Sequence, residues 1–559
     1  MQTQSSSLKE AIRMGAIGGA VSLLICLVGM AVSLGQKFII SGVITMGQIL
    51  IWLPIFILGY AIAQRGKTKG SIVLTSGLIS GLTGGAILAA LIGISQVINV
   101  RGMFVNASPE LFKLLMFNLA PGPGILALLG VTALVGLVGA GFFLVPSRIR
   151  TSLLQGALGI MLIGILRDLL ITVVSRWGAA GALVKWMFAQ SGLNLQGATF
   201  IFLLIGALTY WNAGRPPRKA DQRNEKQKRI ATFASIGGVV VILVLLPPVL
   251  GSFFSDILDT VGIYILMGLG LNIVVGFAGL LDLGYVAFFA IGAYMMGILT
   301  SPELNPNPFT YWQALPFALG ASVLAGILLG LPVLKMRGDY LAIVTLGFGE
   351  IVRLLVLSDW LRPWLGGTQG IQHIAHPVIG PYDLGSQQSL YYVILAGIGI
   401  VTFIALRLKD SRLGRSWMAL REDEDVARAM GINHVTTKLL AFASGAFFAG
   451  LGGTLFAAKL SSAYPQSFQF LVSINVLALI IIGGMGSIPG VIVGGLVLMG
   501  LPDILREFAE YRYLVYGAVL VAMMLIKPEG LWPEERRRLE LREEQSGSAA
   551  ADTPQPAAK

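Results

Sequence analysis

The chain has few of the residues that build redox or metal sites. Among its 559 residues are one cysteine, Cys26, and three histidines. A single cysteine excludes an internal disulfide and a cysteine-based metal site. His373 and His376 are close in sequence, but no third ligand stands near them, so we interpret them as an ordinary loop pair. We expect this chain to bind no metal and no cofactor.

Enzyme motifs are missing as well. The sequence has no Gly-x-Ser-x-Gly, no His-Glu-x-x-His and no dinucleotide-binding glycine fingerprint after a strand. Residues 65–68 resemble the end of a phosphate-binding loop, but that loop needs a glycine at position 61, where the chain has Ala61. We therefore expect neither an enzyme nor an ATPase in this chain.

Charged residues are scarce, at 12% of the chain, whereas a soluble protein has about 25%. Hydrophobic residues make up 55%, and the mean hydropathy is +0.79. Runs of about 20 apolar residues recur throughout, which predicts an all-α polytopic protein surrounded by membrane lipid. The net charge of +12 does not indicate a nucleic-acid partner, because the basic residues cluster in short loops, as cytoplasmic loops require.

The positions of these basic loops predict a topology. We expect six spans in 1–215 and about ten in 230–535, about 16 in total, with both termini in the cytoplasm. The charged, proline-broken stretch 216–229 is typical of a cytoplasmic linker, and 536–559 is expected to be a basic and then disordered tail. The spans are expected near 14–34, 38–63, 70–98, 122–145, 152–175, 197–213, 230–250, 256–276, 281–299, 312–334, 340–357, 389–406, 436–458, 472–486, 489–505 and 512–526.

A short polar segment, 422–433, lies between two of the apolar runs. Asp423 is a suitable N-cap, and the two acidic residues after it favour the first turn of a helix. Val426 and Met430 fall four apart on one face, and Gly431 is the residue type that ends helices. A short capped helix with one apolar edge on the water side of a membrane indicates a docking element for a partner protein.

Ionisable groups inside membrane spans are candidate functional residues, because each is costly to insert. Asp282 lies in a stretch interrupted by Gly276 and Gly279, which favours discontinuous helices. Asp282 could line a substrate path in a broken helix, or it could cap a helix end facing cytoplasmic water. Glu350 and Arg353 are spaced i, i+3, so they could form a structural ion pair or contribute to the same path.

Glycines cluster in a predicted tight cytoplasmic turn with the sequence Gly-Gly-Met-Gly-Ser-Ile-Pro-Gly at 483–490. Such a turn allows either a hinge or simply a close connection between two spans. The candidate hinge residues are Gly483, Gly484, Gly486 and Gly490.

Six segments in order resemble a known family, the LivM-type permeases of branched-chain amino acid importers driven by ATP-binding-cassette (ABC) ATPases. The resemblance covers about 230–535 and is specific, because all six occur in sequence order. The segments are 270–294, 337–353, 366–371, 414–431, 483–490 and 527–532.

The resemblance implies a permease subunit in a prokaryotic plasma (inner) membrane, importing branched-chain or other neutral amino acids. It implies three kinds of partner: cytoplasmic ABC ATPase subunits that use the ATP, a second, LivH-like permease subunit, and an extracytoplasmic substrate-binding protein. It makes 407–438 the ATPase-coupling loop. The coupling residues expected from it are Asp423, Glu424, Asp425, Val426, Ala427, Met430 and Gly431.

Two other functions are compatible with the sequence. A permease of a urea or short-amide importer would have a similar fold. A stand-alone ion-coupled transporter would need inverted repeats and several buried carboxylates, for which Asp282 and Glu350 are the clear candidates. Residues 1–215 depart from the family pattern and contain no second coupling loop, so we do not interpret them as a fused copy of the companion permease.

Overall fold

The computed structural model describes residues 2–65, 70–174, 178–213, 225–334, 336, 338–500, 502, 514, 517, 521, 525 and 529–533. The chain folds as two compact units. The N-terminal unit is Met1–Glu225 and the C-terminal unit is Lys226–Lys559. The predicted linker 216–229 falls at this division, although only its residues from 225 onward are described.

The N-terminal unit is built mainly from long apolar helices, as its hydropathy predicts. A two-stranded antiparallel turn, β1 (Phe38–Ile40) and β2 (Ile44–Thr45), follows the first helices. The helices are α1 (Gln2–Val28), α2 (Met30–Ser33), α3 (Met46–Arg65), α4 (Gly70–Val97), α5 (Pro109–Leu115), α6 (Pro121–Leu144), α7 (Ser147–Ile165), α8 (Arg167–Val174), α9 (Gly178–Met187) and α10 (Leu195–Ala213).

Helices α3, α4 and α6 approach one another through small residues. A Cβ atom placed on Gly136 would lie 2.3 Å from the carbonyl oxygen of Gly77, and one on Gly81 would lie 2.2 Å from that of Thr132. On α3, a Cβ on Gly59 would lie 2.8 Å from the Gly136 carbonyl oxygen. Backbones this close require glycine, and such contacts are typical of helices that associate within lipid.

The C-terminal unit holds the remaining described helices and four short strands. Strand β3 (Ile371–Gln372) pairs with β6 (Ser462–Ala463), and β4 (Val378–Ile379) pairs with β5 (Tyr382–Asp383), both antiparallel. The helices are α11 (Glu225–Leu250), α12 (Ser252–Leu271), α13 (Val286–Thr300), α14 (Tyr311–Val333), α15 (Asp339–Leu357), α16 (Arg362–Leu365), α17 (Gln387–Asp410), α18 (Arg412–Glu422), α19 (Glu424–Ala429), α20 (His434–Leu460), α21 (Phe470–Gly483) and α22 (Ile488–Gly495).

Helix α12 lies at the centre of the C-terminal unit. It continues as a π-helical turn, Asn272–Phe277, and 89% of the most apolar window in Ser252–Phe277 is buried. Helices α17, α20, α21 and α22 pack against it. A span with so little surface left for lipid is an interior helix, and it is the helix that breaks before Asp282.

Ten helices in the described part of the chain are long and apolar enough to cross a membrane. Three shorter apolar helices, Leu195–Trp211, Val240–Leu250 and Val286–Thr300, correspond to three further predicted spans. The chain is therefore an all-α polytopic membrane protein. The last predicted span, 512–526, and the tail 536–559 lie mostly or wholly outside the described residues.

Two local expectations differ from the structure. The span predicted from residue 38 begins at Met46, because 38–45 form the β1–β2 turn. The two spans predicted at 472–486 and 489–505 are a pair of helices, Phe470–Gly483 and Ile488–Gly500, bent by 119°. Each is shorter than the roughly 20 residues that cross a bilayer, so neither spans it alone.

Candidate functional site

The segment between α17 and α20 forms two short helices on a rigid base. Ser411 caps α18, its hydroxyl oxygen accepting a hydrogen bond from the Gly414 amide at 3.2 Å. Trp417 is fully buried, and its indole nitrogen donates to the Thr437 carbonyl oxygen at 2.9 Å. This bond joins α18 to the first turn of α20.

Helix α19 has the caps that the sequence predicts. The Asp423 carboxylate accepts hydrogen bonds from the amides of Asp425 and Val426, at 2.8 and 3.0 Å. At the other end Gly431 has φ +85°, and the Ile432 amide donates to the Ala427 carbonyl oxygen at 3.1 Å. This is the Schellman pattern of a terminated helix.

The apolar edge of α19 faces outward from the chain. Val426 is 59% exposed and Met430 is 79% exposed. Ala427, which is also predicted to be a coupling residue, is buried, and α19 packs against α18 and α20. Ala427 therefore seats the helix on its own chain, and the side chains of Val426 and Met430 are the ones left to contact another molecule.

A buried ion pair fixes α19 to the membrane helices. The Lys438 ammonium lies 2.8 Å from a Glu424 carboxylate oxygen and also donates to the Leu334 carbonyl oxygen at 3.3 Å. The Lys438 side chain is only 2% exposed and that of Glu424 17%. Lys438 thus connects α19 and α20 with the end of α14.

The base of α18 also reaches the break in the central helix. An Arg421 guanidinium nitrogen donates to the Gly276 carbonyl oxygen at 2.6 Å. Between Phe277 and Val286 the chain is not helical, as the glycines and Asp282 indicate. Arg421 therefore bonds to the last turn before the break.

Asp282 is fully buried within this break. One of its carboxylate oxygens accepts a hydrogen bond from the Gly284 amide at 2.9 Å, and the other has no hydrogen-bond partner among the described residues. The Leu283 amide donates to the Thr345 hydroxyl oxygen at 3.0 Å, and the Val286 amide donates to that of Ser473 at 3.0 Å. Side chains from α15 and α21 thus hold the break in place. Asp282 is buried here and not exposed to water, and a role for it in a substrate path stays a prediction.

Glu350 and Arg353 form the ion pair that their spacing predicts. Two Arg353 nitrogens lie 2.8 Å from the same Glu350 carboxylate oxygen. Both side chains are about a third exposed, so the pair neutralises two charges on one face of α15. A role for either residue in a substrate path stays a prediction.

The glycine-rich turn 483–490 is tightly packed. A Cβ atom on Gly483 would lie 2.2 Å from the Gly490 carbonyl oxygen, and Gly484 has φ +115°. The Leu531 and Trp532 amides donate to the Ile482 and Gly483 carbonyl oxygens, at 2.8 and 3.0 Å. Residues 529–533 therefore pack over the turn, and a hinge role for Gly483, Gly484, Gly486 and Gly490 stays a prediction.

His373 and His376 lie elsewhere in the C-terminal unit. His373 pairs with Glu303 at 2.8 Å, with both side chains exposed. His376 contacts the Ala458 carbonyl oxygen at 3.1 Å. Among the residues with described side chains, no three metal-ligating groups converge.

Three residues of this site were not predicted from the sequence: Trp417, Arg421 and Lys438. The signal for Lys438 was present, since a lysine inside the apolar run after residue 435 must find a partner. Arg421 had no such signal, because a basic residue in a cytoplasmic loop is ordinary.

Comparisons with known proteins identify the family of the C-terminal unit. The family model described as "Branched-chain amino acid transport system / permease component" matches residues 253–524. The high-affinity branched-chain amino acid transport system permease protein LivM of Salmonella typhimurium is 41% identical over 387 residues, 65% of this chain and 85% of the relative. The chain belongs to the LivM permease family. LivM of Escherichia coli strain K12 is 41% identical over 327 residues, 54% of this chain and 76% of the relative.

A second type of permease is more distantly similar to this LivM-family chain. The permease protein LivH of Salmonella typhimurium is 25% identical over 286 residues, 48% of this chain and 90% of the relative. No solved structure matches the chain. The family match includes α18, α19 and the break before Asp282, whereas the N-terminal region is extra.

Proposed function

We propose that this LivM-family chain is a permease subunit of an ABC importer in a prokaryotic plasma membrane. It moves branched-chain or other neutral amino acids inward and does not hydrolyse ATP itself. A separate cytoplasmic ATPase drives it, a LivH-like permease pairs with it, and an extracytoplasmic binding protein delivers the substrate. The relatives named LivM and LivH support the substrate class and the second permease.

The observation that supports an ATPase contact is the exposed apolar edge of α19, a helix that is itself packed against α18 and α20. Val426 and Met430 place two apolar side chains, one helical turn apart, on a helix capped at both ends. A rigid helix with anchors at i and i+4 is suited to a hydrophobic groove on a partner. Because Glu424 is paired with buried Lys438, a force on α19 acts directly on α14 and α20.

Truncating this apolar edge should weaken ATPase binding without unfolding the spans. We expect the Val426→Ala, Met430→Ala double variant to bind the ATPase about tenfold more weakly, since two exposed anchors lose their contact area. The measurement is retention of the ATPase on the affinity-tagged, detergent-purified full chain, titrated for affinity. Ile343→Ala is the matched control, because Ile343 is 65% exposed on the membrane helix α15. Unchanged affinity in the double variant would show that α19 is not the docking element.

Substrate class has its own test. Cells that express the complete transporter should take up radiolabelled leucine, and excess isoleucine or valine should reduce that uptake by at least about tenfold when present at 100 times the leucine concentration. Urea at the same excess should leave it unchanged. Competition by urea or a short amide, with none by isoleucine, would assign the chain to the urea-type importer instead.

A further inference from the structure

Arg421 is placed to connect the docking helix with the broken central helix. Gly276 lies in the π-helical turn that ends α12, and the last carbonyl groups of a helix lack donors from within it. The guanidinium supplies such a donor at 2.6 Å to the Gly276 carbonyl. Its positive charge is also favourable there, because the carbonyl end of a helix carries partial negative charge. Arg421 therefore caps the C-terminal end of this helix, although it lies 145 residues away in the sequence.

Gly279 leaves room for the Arg421 side chain. Gly279 has φ +69°, and a Cβ atom on it would lie 2.8 Å from the Arg421 Cγ. The Arg421 side chain thus lies across the turn that follows the π-helical segment. Although much of Arg421 is exposed, its stem and its charge are both engaged with the break.

The hydrogen-bonding groups of Asn272, in the π-helical turn before the break, are only partly paired. Asn272 accepts a hydrogen bond from the Gly486 amide at 2.8 Å, but its buried side-chain nitrogen has no hydrogen-bond partner in the described part of the chain. A buried polar group without a hydrogen-bond partner costs free energy. Through Asn272 the break also contacts the turn of the bent pair α21–α22.

We propose that Arg421 is a positioning residue that transmits movement of α18 and α19 to the π-helical turn 272–277 and to the break that follows it. This inference rests on the proposed function, because it assumes that an ATPase moves α19. When α19 is displaced, α18 moves with it, and the Arg421 cap pulls on the Gly276 carbonyl. The turn at 272–277 then changes its hydrogen bonding, which shifts Asn272 against Gly486 and so acts on the bent pair. No chemical step is involved, only exchange of hydrogen bonds.

The test separates transmission from docking. In proteoliposomes that contain the complete transporter, we expect Arg421→Gln to lower leucine taken up per ATP hydrolysed by about tenfold, within the range of known coupling between sites. ATPase affinity and basal ATP hydrolysis should stay within about twofold of wild type, because Val426 and Met430 are untouched. Arg421→Lys should recover part of the loss, since it keeps a charged donor near the helix end.

Arg415→Gln is the matched control, because Arg415 lies on α18 but contacts the Asp410 carbonyl oxygen instead of the break. It should leave uptake per ATP unchanged. A second variant, Gly279→Ala, displaces the Arg421 side chain from the other side and should show the same uncoupling. Unchanged uptake per ATP in Arg421→Gln overturns the inference, and so does a loss of ATPase affinity that accounts for the whole defect. Failure of the wild-type chain to bind any ATPase would instead overturn the proposed function.

Discussion

Replacing Lys438 with methionine should destabilise the chain by about 3 kcal/mol, the lower end of the effect expected for breaking a buried ion pair. The methionine keeps the apolar stem but removes the ammonium that lies 2.8 Å from Glu424. The Glu424 carboxylate, which is 17% exposed, would lose the Lys438 ammonium, and its position in the first turn of α19 offsets part of that loss. The measurement is the free energy of unfolding of the purified full chain in mixed micelles.

Glu424→Met is the reciprocal variant, and it should lower the free energy of unfolding more than Lys438→Met does. It leaves Lys438, which is 2% exposed, without the Glu424 carboxylate. The Lys438 ammonium then keeps its contact with the Leu334 carbonyl oxygen. The double variant Lys438→Met, Glu424→Met should recover most of the stability, because replacing both partners by apolar groups removes both desolvation penalties. Glu422→Met, an exposed neighbour, should change stability by less than about 0.5 kcal/mol. Additive losses in the double variant would mean that the two charges do not depend on each other.

The Lys438 pair shows why part of this site could not be predicted. Local features followed from the sequence, because they depend on residues a few positions apart. The cap at Asp423, the termination at Gly431 and the pair Glu350–Arg353 are all of this kind. The long apolar helices were predictable for the same reason, since roughly 20 apolar residues must be buried in lipid whatever their neighbours are.

Long-range contacts were not predictable from spacing. Arg421 reaches Gly276 only because the break in α12 ends beside α18, and nothing in the loop sequence specifies that position. The β1–β2 turn at 38–45 was assigned to a span because its residues are largely apolar. Likewise, hydropathy does not predict the bend of 119° between Phe470–Gly483 and Ile488–Gly500.

The glycine turn gives the second large effect. Gly483→Ala should destabilise the chain by about 1–3 kcal/mol or more, as inserting a methyl group into a packed interior does. The new methyl would lie 2.2 Å from the Gly490 carbonyl oxygen, and Trp532 holds the Gly483 carbonyl from the other side at 3.0 Å. Backbone atoms cannot rotate away as a side chain can, so α21 and α22 would have to separate. The free energy of unfolding and the yield of folded chain both report this loss.

Stability also separates the two interpretations of these glycines. If Gly483 serves as a hinge whose backbone must bend, Gly483→Ala should leave stability nearly unchanged and reduce leucine uptake. If it serves as a packing contact, stability and uptake should fall together. Gly399→Ala is the control, because Gly399 lies in α17 with open space around its Cα, and alanine there should stabilise the helix by about 0.5–1 kcal/mol. The contact with Gly490 favours the packing role, so bending of the pair is expected at Gly484 and Gly486, where positive φ already marks the turn.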